Sequence, residues 1–534
     1  MKLRSYFFGA LACLALASCS SDDDAVASGE EFDPSKTHYV AINIVNPVET
    51  RAVSDGGFTV GSAAENKVES ATIIFYDGSK NYLKHATTGH NAGDALIQWP
   101  AGDPVEENQP AVERVTKAVC VLTNLTSQPK YAIAILNTTL SEAQIKSSMT
   151  DLKAIIGNNT YNTFTEGKFV MTNSSYANNC EVELTTDNIQ SVESNALLNP
   201  VVIHVERLAA RVDVKQSTGG FTAQPEDIKV NGVDKTIKPL IKGFKVVGTN
   251  PDSYLIKNLT GSSSWDSFSG WSDDKNKRSY WATSAVPANY GYSAWNAMTT
   301  AIPTGTAASS YCLENTNAGN GYLENAQTAT TLVLAAQLTV DENPIDLVRY
   351  AGFYYEADDF IAIVNNTLKN QKFTYSTTSL TDQKEWTSLI SLDRPSTGVS
   401  AGNAAWTVVP KVNYTDITEF KKNGVTTTRS EIEEVIDGIG TAMYWNNGMT
   451  YYFVTVAHLN NDNDPETNKF AEYGVVRNHI YDITVSGTAG LGSPVFIPEE
   501  EIIPERPTDD ESHVAAQIKI LKWKIVQQHD VVLQ

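Results

Sequence analysis

Apolar and polar residues alternate with a period of two along much of this 534-residue chain. That period marks strands with one face in a core and one in water. Between Thr37 and Val45, the residues Val40, Ile42 and Ile44 share a face, and Ala71, Ile73 and Phe75 do so in the next run. The same reading predicts strands over Ala118–Leu122, Tyr131–Leu136, Val201–Val214, Leu240–Val247, Thr331–Leu338, Trp406–Val412, Thr450–His458 and His479–Val485. Turns rich in Gly, Asn and Ser separate these short runs, the texture of antiparallel sandwiches. The expected class is mainly β, with two antiparallel β-sandwich domains and a few short helices.

Three windows change period. Ser141–Ile156 carries Ile145, Met149, Leu152 and Ile155 at helical spacing, opens on the capping pair Ser141 and Gln144, and is expected to run as one helix to Gly157. Asp358–Leu368 places Phe360, Ile361, Val364 and Leu368 on one stripe. Ser430–Ile436 opens on a second capping pair, Ser430 and Glu433. These stripes suit core packing. No repeat of 20 to 50 residues is visible.

Both ends depart from this texture. Lys2 and Arg4 precede an apolar run from Tyr6 to Ala17, and Leu16-Ala17-Ser18-Cys19 closes it. The arrangement resembles a bacterial lipoprotein signal cut ahead of Cys19, which would carry the lipid. The run is too short to span a bilayer, and no later stretch approaches the ~20 apolar residues that spanning requires. Ser20–Pro34 is polar and acidic, the composition of a tether. From Pro494 to Glu511 four prolines mix with seven carboxylates, so this linker is expected to stay extended without burying a core. Beyond it Ile518 and Ile520 share one face while Leu521, Trp523 and Ile525 take the other parity, which predicts a bulge or bend near Ile520. Val531 and Leu533 resume the pattern. Exposed, so apolar a strand would be an aggregation edge.

The formal charge of −22 argues against nucleic acid as a partner. Of five cysteines, Cys13 falls in the signal and Cys19 takes lipid, so Cys120, Cys180 and Cys312 allow at most one disulfide. Whether Cys120 and Cys180 pair is left open. Catalytic chemistry is sparse. Gly398-Val399-Ser400-Ala401-Gly402 matches a nucleophile elbow, but a Pro-Ser-Thr stretch precedes it and a strand follows, where the motif needs a strand entering a helix. His204 and Glu206, two apart on a strand, read as a polar-face pair lacking further metal ligands. Asp462, Asp464 and Glu466 could offer oxygens to calcium, yet Pro465 and the missing loop glycine fit a solvated hairpin tip better. No catalytic centre, cofactor or resident metal is expected. Trp265, Trp271, Trp281 and Trp295 sit in Gly- and Ser-rich stretches and read as loop anchors before glycan platforms.

Several segments together resemble a known family. They are the lipobox and tether, Arg51 followed by Ala52-Val53-Ser54-Asp55, Phe169–Ser174, Val205-Glu206-Arg207-Leu208-Ala209-Ala210-Arg211-Val212, Arg278–Thr283, Tyr311–Thr316, Tyr473–Tyr481 and the closing Ile520-Leu521-Lys522-Trp523-Lys524. The chain is similar in these to the fimbrillins of Bacteroidetes-type (type V) pili, most of all to the major subunit of the short fimbriae. The resemblance implies two transthyretin-like or Ig-like sandwiches in a protein exported as an outer-membrane lipoprotein. It implies cleavage between Arg51 and Ala52 by an Arg-specific protease, loss of the strand bearing Val40, Ile42 and Ile44, and its replacement by a neighbour's terminal strand. Ile518, Ile520, Leu521, Trp523, Ile525, Val531 and Leu533 would then be the donated side chains. Partners would be identical subunits head to tail, together with tip and anchor subunits of the pilus, and the role would be adhesion to host or other bacteria. The implied organisation is a signal over 1–18, a tether and removable strand over 19–51, sandwiches over 52–215 and 216–493, and a linker with donor strand over 494–534. A tip or anchor subunit, or a glycan-binding surface lipoprotein, are the rival roles.

Overall fold

The computed structural model describes residues 32–46, 62–88, 95–98, 114–158, 161, 164–165, 169–174, 179–259, 282–287, 289–316, 328–395, 407–458, 474–504 and 513–522. The protein is mainly β, with several sheets and short helices. The first sheet contains β1 (His38–Asn46), β2 (Ala71–Tyr76), β3 (Tyr82–Thr88), β4 (Ala95–Gln98), β5 (Arg114–Leu122), β6 (Tyr131–Leu136), β7 (Met171–Asn173), β8 (Val182–Glu183) and β9 (Val201–Arg207). Its order is β2-β3-β4-β5-β1-β9-β7-β6-β8, and β2 also pairs with β6 along its whole length, so the sheet closes on itself. Alternation sends Val40, Ile42 and Ile44 into the enclosed core beside Ile73, Phe75, Ala134, Ile203 and Val205.

β2 departs from the half-buried reading: all six of its residues are buried. Its second face, Ile74 and Tyr76, is covered by Ile145, Met149 and Leu152. Those three lie on two short helices where the sequence predicts one. α2 (Glu142–Ile145) has the expected cap, Gln144 N donating to Ser141 Oγ at 3.3 Å and Ser141 N to Gln144 Oε1 at 2.9 Å. The chain then breaks at Ser147-Ser148, because Ser148 caps α3 (Met149–Lys153) and the Met149 N–H turns away to the Lys80 carbonyl at 3.1 Å. Gly157 lies in a three-residue strand beyond.

The run Val201–Val214 also divides. At Leu208 the chain leaves the first sheet, its N–H donating to Val170 O, and resumes as β10 (Ala209–Gln216) in a second sheet. There β10 lies between β11 (Ala308–Leu313), antiparallel, and β12 (His479–Ala489), parallel. β1 is flanked in the same way, antiparallel to β5 and parallel to β9. Parallel neighbours need a long crossover, which here is residues 47–200 between β1 and β9 and residues 217–478 between β10 and β12. A third sheet, built on Val233–Val247, Thr331–Val340 and Met449–Thr455, faces the second. Phe244, Leu332, Leu334 and Tyr452 meet Val212, Val214, Tyr481 and Ile483 between them. The long strand bulges between Ile241 and Gly243, and a side chain at Gly243 would put its Cβ 2.2 Å from the Met298 carbonyl oxygen, so only glycine fits.

α4 (Glu193–Leu198) packs Ala196 on Ala41 and Val119, the outer faces of β1 and β5. α5 (Ala357–Asn370) and α6 (Arg429–Asp437) lie where the helical spacing predicts them. The Ser430–Glu433 capping pair does not form: Thr428 is the cap residue, and Glu433 instead accepts from Arg429 Nε at 2.6 Å.

The first part of the proline-rich linker is docked, against expectation. Val495 and Ile502 are fully buried. Val495 N donates to Met449 O at 3.0 Å, Asn446 Nδ2 donates to Phe496 O at 2.7 Å, and Glu501–Ile502 pairs with Ser293–Ala294. Val495, Ile502 and the partly buried Phe496 outweigh the prolines, and Pro494 itself lies in a short strand opposite Thr450. After it, β13 (His513–Lys522) adds antiparallel to β12, from Ala489 opposite His513 to His479 opposite Lys522. The register runs unbroken through Ile518, Ile520 and Leu521, so the bulge predicted near Ile520 is absent. The one irregularity sits on the partner strand, between Val485 and Gly487.

Candidate functional site

β1 is held on both edges and both faces. Its whole length pairs with β5, from His38 opposite Leu122 to Asn46 opposite Arg114, and Ile42 to Val45 pair with Val201 to His204 of β9. Val40 and Ile42 are fully buried and Ile44 is 2% exposed. Outside, Tyr39 and Gln190 exchange backbone hydrogen bonds of 2.7 and 3.0 Å beneath α4. Removing such a strand opens a slot between β5 and β9, with three apolar pockets on its floor and a row of unpaired backbone groups along each wall.

Ile518, Ile520 and Leu521 lie on β13, which among the described residues pairs with β12 alone. Cys19, Arg51, Ala52, Trp523, Ile525, Val531 and Leu533 lie outside the described residues, as do Ser400, Asp462, Asp464, Trp265, Trp271 and Trp281. Trp295 is a loop anchor, its indole N–H donating to Thr450 O at 2.9 Å and Ala336 O at 3.2 Å. Cys120 and Cys180 are both free thiols in separate clusters, and burial pushes the Cys180 thiol up to about 12. Among the described residues no three metal-ligating side chains converge.

A different feature emerges where the first sheet meets the second: charged groups sealed from water. Glu206 is not on a solvated face. It is 1% exposed, 3.9 Å from the fully buried Lys257 Nζ, and accepts from Ser174 Oγ at 3.3 Å. Beside it, Arg477 Nη2 donates to Glu314 Oε1 at 2.5 Å and to Tyr254 O at 2.8 Å. Burial lowers the Lys257 pKa, and the neighbouring carboxylates Glu206 and Glu314 oppose the shift. A second cluster holds α1 (Ala63–Asn66). Arg207 Nε donates to Glu65 O at 2.8 Å, and Arg211 Nη1 and Tyr311 Oη donate to Glu65 Oε1 at 2.8 and 3.0 Å. Burial alone would raise the Glu65 carboxyl, but Arg211, the Ser62 N–H and Arg207 outweigh it and hold the pKa below its ordinary value. Periodicity hides both clusters. Their visible sign is charge set inside an apolar run with no turn, as in Val205-Glu206-Arg207-Leu208.

Residues 443–529 match the family model for the C-terminal region of fimbrillin, described as major fimbrial subunit protein type IV. That span takes in β12 and β13, so it is the C-terminal region of the chain that is similar to the fimbrillin family. No curated protein sequence matches the chain. Among solved structures, a candidate cell-adhesion protein from Parabacteroides distasonis is 10% identical with a TM-score of 0.40, covering 92% of this chain and 98% of its own. A fimbrial assembly protein from the same species is 11% identical at a TM-score of 0.31, over 57% of this chain and 84% of its own. A C-terminally truncated tip fimbrial protein from Porphyromonas gingivalis is 10% identical at 0.33, over 91% of this chain and all of its own.

Proposed function

We propose that this protein is the polymerising subunit of a cell-surface pilus, exported as a lipoprotein on Cys19, cut between Arg51 and Ala52 by an Arg-specific protease, and assembled by donation of its terminal strand. The supporting observation is the place of β1: an interior strand whose three core side chains are at most 2% exposed, followed in the sequence by residues 47–61, where Arg51 lies. Burial of each such side chain contributes about 1.5–3 kcal/mol, so losing all three removes an amount comparable to the ~5–15 kcal/mol that holds a domain together. A trimmed subunit therefore needs another strand in the slot. β13 and the residues after it offer alternating apolar side chains, and they follow the docked linker, whose last described residue is Pro504. The eight residues 505–512 between Pro504 and β13 reach at most roughly 29 Å when fully extended. Donation between copies is head to tail and does not close, so it yields a filament. Tip and anchor subunits of the pilus would cap its ends, and the filament would serve adhesion to host or other bacteria.

N-terminal sequencing of protein sheared from the cell surface tests this directly. The expected start is Ala52, and Arg51→Ala is expected to leave lipidated monomers. Filaments whose subunits still begin at the acylated Cys19 would overturn the proposal.

A further inference from the structure

α1 is four residues long, yet it is tied to both units at once. Ser62 caps it, with Glu65 N donating to Ser62 Oγ at 3.2 Å and Ser62 N to Glu65 Oε2 at 2.5 Å. Arg207, at the end of β9, donates to Glu65 O and to Asn66 Oδ1, and its Nη1 reaches Asn478 Oδ1 at 3.1 Å, just ahead of β12. Arg211 on β10 and Tyr311 on β11 grip the Glu65 carboxylate, while Asp213 Oδ2 accepts from Arg211 Nη2 at 2.9 Å and holds the guanidinium. Downstream, Asn137 fastens the way into β2: its Oδ1 accepts from Glu69 N at 2.8 Å, and its Nδ2 donates to Lys67 O at 2.7 Å.

With β1 in place this tie is redundant, because β1 joins β5 to β9 directly. Without β1 the closed sheet opens there, and the ladder still linking β2 to β9 passes through β6 and the three-residue β7. α1 is a second link between the same two places, since it starts the path into β2 and is bonded to the end of β9. We propose that α1 is a staple, with Glu65 its central group, that holds the chain end left by removal of β1 against the junction of the two units. The slot then opens without the first sheet loosening from the second. The inference rests on the reading that β1 is removed, and it assigns Glu65, Arg207, Arg211 and Tyr311 to keeping the trimmed subunit in shape.

The test uses two recombinant chains, one starting at Ser20 and one at Ala52, each with and without Glu65→Gln, followed by hydrogen exchange at the β2 and β6 amides. The staple predicts that Glu65→Gln speeds exchange at least tenfold in the chain from Ala52 and under threefold in the chain from Ser20. Adding a peptide of residues 37–46 to the shortened variant should bring its rate back towards the longer one. Equal acceleration in both chains would overturn the staple, and so would failure of the unsubstituted shortened chain to fold. If the shortened Glu65→Gln chain is unfolded, Tyr311→Phe, which removes one donor to the same oxygen, reads the same ratio. Because the shortening is genetic, a surface protein found to start upstream of Ala52 would refute the cleavage reading and leave this ratio to be judged by itself.

Discussion

Glu181 shows how single charged residues stabilise the first unit. Its carboxylate is 3% exposed and receives Lys80 Nζ at 2.7 Å and Lys153 Nζ at 2.6 Å, tying the β2–β3 turn to α3. Burial alone would raise its pKa, but the two lysine hydrogen bonds bring it from 4.5 to about 2. A depressed carboxyl stabilises the fold fully above its unfolded pKa and loses that contribution as pH falls through the folded one. With both lysines a third or more exposed, the pairing is worth about 1–2 kcal/mol after solvent screening. Urea midpoints of the unsubstituted protein and Glu181→Gln should therefore differ at pH 7 and converge as pH drops from 4.5 towards 2. A constant gap across that range would show that the ion pairs are idle. Residue identity exposed the core-facing set Val40, Ile42 and Ile44 because apolar parity is a local property. It could not expose Glu206, Lys257, Glu314 and Arg477, which become mutual partners only when segments far apart in sequence meet, as Glu314 and Arg477 do across 163 residues.

At the scale of elements, β1 carries the most consequential test. Ile42→Ala should cost about 2–5 kcal/mol in a chain that contains β1, read by denaturant unfolding of the first unit. The docked linker carries a second. Its apolar anchors pin a segment whose own ladder is two residues long, so Ile502→Ala should speed proteolysis within 494–512 while the global unfolding midpoint shifts less. Unchanged cleavage would mean that Val495 and Phe496 hold it alone. These elements also mark the limits of periodicity. Alternation located β1, and the 3.6-residue stripe located α5 and α6. It missed the break at Ser147-Ser148, because a serine that caps a second helix looks the same in sequence as one on a solvated helix face. It also missed the docked linker, because three anchors among prolines and carboxylates form no period.

At the scale of the molecule, the two strands that the proposed exchange would use differ in a way that decides what their loss should do. β1 lies inside a closed sheet between β5 and β9, whereas β13 is bonded on one side to β12. Deleting Val514–Gln534 should leave both cores folded, while deleting β1 opens one. The long-range pairings behind this contrast, β1 with β9 and β10 with β12, follow from the path of each whole unit and have no trace in strand alternation. Under the proposed exchange, a trimmed chain lacking Val514–Gln534 would accept a strand but not donate one, so it should terminate filaments at one end. Mixed with trimmed full-length chain, it should shorten polymers in inverse proportion to its share, to about ten subunits when it makes up one tenth, because a head-to-tail interface adds copies in a single direction. Ladder length on gels run without boiling measures this. A truncated chain that polymerises alone would place the donor elsewhere, and one that leaves filament length unchanged would show that its slot does not accept the strand.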